Sequence, residues 1–304
     1  MTDTVRELLT TLTPQAEKVD AYVADTYLLE TVDHLDRLGI DPAKFGRQHS
    51  LLLLKPDAIV ARAVEPTLEW LADNGFQVVG AERVAVNRHV ARALWYFAWN
   101  IASPERRRLA DLLVGISDVL VLVVRAADAA LPVSVRLTEA KGPTDPRKRK
   151  PGELRHLLGR HSYLLNLVHS PDDPADTLRE FAIYWDESRR GEVIARAEAG
   201  ADGTARAREI AAELYAGTPA RGFDRADALE RIRRDITDGG APVPADLESD
   251  ADCARLLYDA WAAGQQLDPW SVLVLGSHVL PMRIGTGPQT LRPVSAKEWL
   301  EGPL

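Results

Sequence analysis

Apolar residues change their spacing several times along the chain, and each change predicts a different element. In 14–37, Val19, Tyr22, Val23, Leu28, Leu29, Val32 and Leu35 recur at three and four, the repeat of one helix that Gly39 and Pro42 stop. The compact run 51–54, bounded by Lys55-Pro56, reads as a buried strand ending in a turn. A helix follows over 63–74, closed by Gly75, and then a strand over 77–86. Residues 88–100 and 104–114 read as helices, the second with Ser103 as N-cap and Pro104 in its first position. The run 119–124 is apolar throughout, as a strand buried on both faces would be. A short helix near 130–139 leads into a polar, Pro-rich loop over 142–152. A strand over 163–168 and a helix from Asp173-Pro174 to about Tyr184 complete this part.

This alternation predicts an α+β fold, a ferredoxin-like, four-stranded antiparallel sheet covered by helices. Three regions are expected: an N-terminal helical segment (1–47), the sheet domain (48–186) and a C-terminal α/β appendage (187–304). Beyond Trp185 the composition shifts to Ala, Arg, Asp and Glu, with linkers at 200–203 and 239–244. There, 252–262 reads as a helix and 271–284 as a β-hairpin turning near Gly276-Ser277. No internal repeat is visible.

Bulk properties narrow the function classes. The length of 304 residues suits two domains, or one with substantial appendages. A net charge of −8 argues against a general nucleic-acid surface, which needs a basic footprint. Cys253 is the single cysteine, so no intrachain disulfide forms. The first residues lack the basic start and apolar core of a signal peptide, and the run 119–124 is far short of the ~20 residues of a membrane span. A cytoplasmic protein without membrane attachment is expected.

Three local signatures carry chemistry only in combination. Lys55-Pro56-Asp57 ends the first strand, a Lys-Pro-Gly-x-x-Arg segment spans Lys150 to Arg155, and Asn166-Leu167-Val168-His169 closes the last strand. Alone, each reads most simply as a solvated strand end, a charged loop and a structural histidine. Their order, spacing and flanks, with Asp172-Asp173 and Glu180 following, resemble the nucleoside diphosphate kinase family. The resemblance implies that His169 accepts the γ-phosphoryl of a nucleoside triphosphate and passes it to a diphosphate in a ping-pong cycle. A neutral imidazole nitrogen is a competent nucleophile near neutral pH. Glu180 falls on the family's helical Glu and is expected to orient the ring. Lys55, Thr144 and Arg155 match phosphate-binding positions, and Asn166 the ribose contact. Arg136 is the best match to a further Arg, at the cost of a two-residue insertion. Asp57 is expected to be structural, and the run 147–149 to be a solvated loop or a guard of the pocket mouth. Mg²⁺ is implied through the nucleotide phosphates rather than a protein ligand cluster, and the family's habit implies a homo-oligomer.

The departures concern the base end. His169-Ser170-Pro171-Asp172 replaces the family's His-Gly-Ser-Asp. Trp95, or Tyr96 with one inserted residue, takes the place of the Tyr packed near the nucleophile. The stacking aromatic falls near Ser103-Pro104, and Tyr163 is the candidate substitute. Weak discrimination among bases follows, because phosphate contacts carry no base information. Besides a nucleoside diphosphate kinase, two alternatives stay open: a phosphotransferase with a specialised pathway acceptor, and a non-catalytic nucleotide-binding or interaction protein on the same fold.

Overall fold

The computed structural model describes residues 2–126, 130–159, 161–244, 247 and 249–302. Its centre is a four-stranded antiparallel sheet of order β2-β3-β1-β4, from β1 (His49–Leu54), β2 (Phe76–Val84), β3 (Val119–Ala126) and β4 (Val168–His169). Between β1 and β2 lie α5 (Pro56–Val60) and α6 (Val64–Asp73). Between β2 and β3 run α7 (Arg88–Leu94), a 3-10 turn (Tyr96–Ile101) and α8 (Pro104–Val114). Then β3 leads to α9 (Val133–Lys141), a 3-10 turn (Pro146–Lys148) and α10 (Leu154–Leu157), and β4 leads to α11 (Pro174–Tyr184). This is the expected split βαβ architecture. Two local expectations hold in detail: Ser103 Oγ accepts from Arg106 N at 2.9 Å at the start of α8, and Gly75 takes the left-handed conformation (φ +72°) that closes α6.

The central strands are buried on both faces because helices cover each. Leu51, Leu53, Val121 and Val123 face the N-terminal helices and α11, while Leu52, Leu54, Leu120 and Leu122 face α6 and α9. Burying a Leu side chain contributes roughly 1.5–3 kcal/mol, so β1 and β3 anchor the domain. β4 is shorter than expected. Instead of a strand over 163–168, only Val168 and His169 pair with β1, opposite Leu54 and Leu53. Leu167 stands in the left-handed region (φ +66°), held there by Asp57 Oδ2, which accepts its N–H at 3.0 Å, and by Lys55 N donating to its carbonyl at 2.9 Å. Asp57 thus fixes the backbone just before His169.

The flanking regions correct the sequence reading. Residues 1–47 hold α1 (Thr2–Leu12), α2 (Ala16–Tyr22), α3 (Thr26–Arg37) and α4 (Pro42–Gln48, extending one residue past 47) in place of one helix. The expected continuous helix breaks at Asp25, whose side chain caps α3 by accepting from Leu28 N at 3.0 Å. The C-terminal region is helical among the described residues: α12 (Glu187–Ala199), α13 (Thr204–Gly217), α14 (Arg225–Asp238), α15 (Asp250–Ala262), α16 (Pro269–Val279) and α17 (Ala296–Glu301). The expected hairpin over 271–284 is α16 followed by an extended segment. Asp268 caps α16 by accepting from Ser271 N at 2.9 Å, and Pro269 occupies its first turn. Its apolar run covers most of the helix circumference because α8, α14 and α15 enclose it.

These additions are built into the same body as the sheet domain. Val193 and Ile194 of α12 join the core on one sheet face, Ile210 and Leu214 of α13 the core on the other. A third core joins α14, α15 and α16 to Val60, Leu109, Leu113 and Leu165. Gly203 N donates to Val78 O at 2.9 Å, and a Cβ at Gly203 would sit 2.9 Å from Gly80 N, so only glycine lets α13 start this close to β2. On the N-terminal side, the buried Lys18 ammonium donates to Asp173 and Asp176, both at 2.8 Å, and Tyr22 bonds Asp176. Burial alone would lower the Lys18 pKa, but the two carboxylates hold it above the usual range.

Candidate active site

At the His169 end of the sheet lies a cavity of about 630 Å³, within the range of small-molecule sites. Lys55, Trp95, Thr144, Arg155, Tyr163, Asn166 and His169 all line it. The His169 side chain is 18% exposed, so it is reachable from the cavity while its ring stays held. Nε2 lies 2.8 Å from Glu180 Oε1, on α11 behind the ring. A carboxylate accepts only, so Nε2 carries the proton and Nδ1 the lone pair. Trp95 Nε1 stands 3.4 Å from that Nδ1, its ring edge-on to the imidazole. Glu180 itself is buried and is not among the cavity-lining residues.

The polar wall carries Lys55, Arg106, Lys141, Lys148 and Arg155 together with the carboxylates of Glu139, Asp145, Glu153 and Asp172. Lys55 Nζ donates to Leu164 O at 2.9 Å and lies 3.3 Å from Asp57 Oδ2. Burial lowers its pKa, against the pull of Asp57. Arg155 Nη1 donates to Gly142 O at 3.0 Å and Thr144 Oγ1 at 3.2 Å, and Nη2 to Val168 O at 2.7 Å. The guanidinium therefore ties the 142–144 loop to β4, and burial brings its pKa down to about 10, with Arg149 adding to the fall. Asn166 Nδ2 donates to Tyr163 O at 2.9 Å, fixing the loop that carries both residues. In the run 147–149, Arg147 is exposed and paired with Asp145, Lys148 lines the cavity, and Arg149 bonds the carbonyls of Pro143, Thr144 and Gly159.

Arg136 is not part of this group. Its guanidinium donates to Asn74 O at 2.6 Å and lies over the Phe76 ring, and it does not line the cavity. The α9 residues that do are Thr138, Glu139 and Lys141. Lys141 Nζ donates to Ser170 Oγ at 2.6 Å, and Thr138 Oγ1 lies 3.1 Å from the same hydroxyl. Sequence reasoning also passed over Trp99, whose Nε1 donates to Ala91 O at 3.3 Å, and Arg106, whose guanidinium lies 5.2 Å from the Tyr163 ring centroid. Both line the cavity. So do Gln289, Pro293, Val294 and Ser295, from the extended segment between α16 and α17. That segment is fastened to the 3-10 turn by Ile284 N to Ile101 O (3.0 Å) and Thr290 N to Phe97 O (3.1 Å). At its far end Ala296 N donates to Glu139 Oε1 at 2.9 Å. No sequence motif marks it.

Fold and site together define a split βαβ domain with a charged cavity around a ring-oriented histidine. Residues 48–190, a little under half of the chain, match the family model described as Nucleoside diphosphate kinase. The match ends four residues past the domain end expected from the sequence, inside α12. The nucleoside diphosphate kinase of Heliobacterium modesticaldum is 28% identical over 156 residues, which span 47% of this chain and 97% of the relative. That of Sorangium cellulosum is 29% identical over 141 residues, 45% and 90% of the two chains. Among solved structures, the Aquifex aeolicus nucleoside diphosphate kinase aligns with a TM-score of 0.39 and 23% identity, covering 46% of this chain and 95% of that one. No helix among the described residues is long and apolar enough to cross a membrane.

Proposed function

We propose that the chain is a phosphotransferase that moves the γ-phosphoryl of a nucleoside triphosphate to a diphosphate, or a related acceptor, through His169. The observation that carries this is the pair of contacts on the ring. Glu180 accepts the hydrogen bond from Nε2–H and leaves the lone pair on Nδ1, at the wall of a cavity that Lys55, Thr144 and Arg155 also line. In the forward half-reaction, the Nδ1 lone pair forms a bond to the γ-phosphorus. The bond from that phosphorus to the bridging oxygen breaks, and the diphosphate leaves with the electron pair. The second half-reaction reverses these steps on the acceptor. Such transfer depends chiefly on positioning and on stabilising charge at the phosphoryl oxygens, which is the service Lys55, Thr144 and Arg155 would provide, with Asn166 on the sugar. A passive nucleotide sensor has no use for an oriented lone pair.

Mg²⁺ fits this site as a companion of the substrate. The phosphate end of the wall offers ammonium, guanidinium and hydroxyl groups, so the hard oxygens a Mg²⁺ ion prefers would come from the nucleotide. When bound, the ion neutralises charge on the phosphates. A specialised acceptor is favoured as a second reading by one feature: Gln289 and residues 293–295 add a wall from outside the family domain.

Incubation with γ-labelled ATP tests the reading. The full chain should take up acid-labile, alkali-stable label, and His169→Ala should take up none while still binding nucleotide. Lys55→Ala should weaken binding and labelling together, by about 1.5–3 kcal/mol, the value of a hydrogen bond to a charged group. Full labelling of folded His169→Ala would show that the nucleophile is another residue. Transfer from the labelled protein to a panel of diphosphates separates the two acceptor readings.

A further inference from the structure

Three lysines, Lys18, Lys55 and Lys141, are buried around the site, and their surroundings differ: Lys55 lies 3.3 Å from Asp57 Oδ2. Lys18 has a carboxylate on either side. Lys141 has none within ion-pair distance among the described residues: its Nζ meets the hydroxyl of Ser170 at 2.6 Å and the Ser170 carbonyl at 3.4 Å. Lys18 lies outside the large cavity, whereas Lys141 lines it, one residue before Gly142 and on the same helix face as Thr138. A buried ammonium without a counter-ion is costly, and a protein relieves that cost by losing the proton or by receiving an anion.

We propose that Lys141 is a phosphate-binding cation of this site and that it takes up a proton when a polyphosphate enters the cavity. The proposal rests on the nucleotide-site reading above. Its geometry is the convergence on one cavity wall of Lys141, Arg155 and Thr144, with Ser170 holding the amine beside the His169 turn. The charges that act on Lys141 are Arg155 on α10, Asp172 in the turn after β4, and Glu180 on α11. Burial, reinforced by Arg155 and opposed by the two carboxylates, brings its pKa down to about 7. Asp172 is itself pushed up by burial, against the pull of Lys141. Two cations that repel each other across a shared wall are relieved by a multiply charged anion. Its arrival restores the Lys141 proton, and the ammonium then turns from Ser170 toward the phosphate.

The sign of the pH dependence follows. The anion binds the protonated form, so affinity is full below about pH 7 and falls as pH rises. The fall is roughly tenfold per unit until the pKa of the complex is reached. Calorimetric titration of the full chain with Mg²⁺ and ADP at pH 8, in two buffers of different ionisation enthalpy, counts the protons. Wild type should take up most of one proton more than Lys141→Arg, whose charge is fixed, and Lys141→Arg should lose the steep fall in affinity above pH 7. Lys141→Met should bind ADP at least about tenfold more weakly at pH 7, as loss of a charged hydrogen bond implies, and should also lack the extra proton. It carries the comparison if the Arg variant does not fold. Equal proton uptake in wild type and the variant compared overturns the proposal, because a purely structural lysine would not move that count. Labelling with γ-labelled ATP, run in parallel, separates the two ideas. Proton uptake without label sinks the phosphotransfer reading alone, label with equal uptake sinks the Lys141 proposal alone, and absence of ADP binding sinks both.

Discussion

The two nitrogens of His169 have partners of opposite demand. Glu180 accepts from Nε2, while the Trp95 indole points its N–H at Nδ1 from 3.4 Å. The first contact prepares the lone pair and the second partly occupies it, so substitutions should separate them. Glu180→Ala frees the tautomer and should slow labelling by orders of magnitude, up to about 10⁴-fold, the scale seen when an orienting carboxylate is lost. Trp95→Phe keeps the ring packing and removes the donor, so labelling should hold or accelerate. A rapid-quench time course on the two variants checks this, and equal slowing in both would mean that the indole N–H assists the transfer. At this scale part of the cavity wall is legible from sequence, because Lys55, Thr144, Arg155, Asn166 and His169 sit inside recognisable local strings. Lys141 is not. Choosing between it and Arg136 requires the rotation of α9, where positions five apart point roughly 140° away from each other and positions three apart share a face. Thr138 and Lys141 share the cavity face, and Arg136 turns to Asn74 instead.

Among elements, the clearest departure from the sequence reading is α16. An unbroken run of Val and Leu has no period, so strand and fully buried helix cannot be told apart by pattern, and Gly276-Ser277 mimics a turn. The deciding signals are Asp268 and Pro269, a cap and a first-turn proline. β4 is shorter than expected for a related reason: Tyr163, Leu164 and Leu165 serve loop packing and the cavity wall, and pairing with β1 starts only at Val168. The split of 14–37 at Asp25 is likewise a capping event inside an apparently continuous repeat. The N-terminal helices are then fixed to the domain through a buried charge. Lys18→Met leaves Asp173 and Asp176 without their shared cation and should destabilise the protein by about 3–5 kcal/mol, the penalty for breaking a buried pair. Denaturant melts should also show that mildly acidic pH relieves part of this loss. Asp173, already pushed up to about 6 by burial with Lys18 pulling the other way, rises further without that lysine and takes a proton more readily. An unchanged midpoint would mean that α2 docks by its apolar residues alone.

For the whole molecule, the region that matches the family model accounts for under half of the chain, and the rest is structurally bound to it. α12 and α13 complete the sheet-face cores, and α16 covers Leu109 and Leu113. A chain cut after Trp185 should therefore expose these surfaces and aggregate, or melt well below the full-length protein, as a calorimetric scan with light scattering would record. A soluble, equally stable fragment would make the C-terminal region an independent module. The extended segment between α16 and α17 has a different consequence. It is laced to the 3-10 turn at one end and to α9 at the other, and between those ties it forms cavity wall. In the proposed cycle a nucleotide leaves the cavity twice; with this segment as part of the wall, its displacement rather than bond-making is expected to set the tempo. Turnover at saturating substrate should then fall in inverse proportion to solvent viscosity, while a single round of histidine labelling stays indifferent to it.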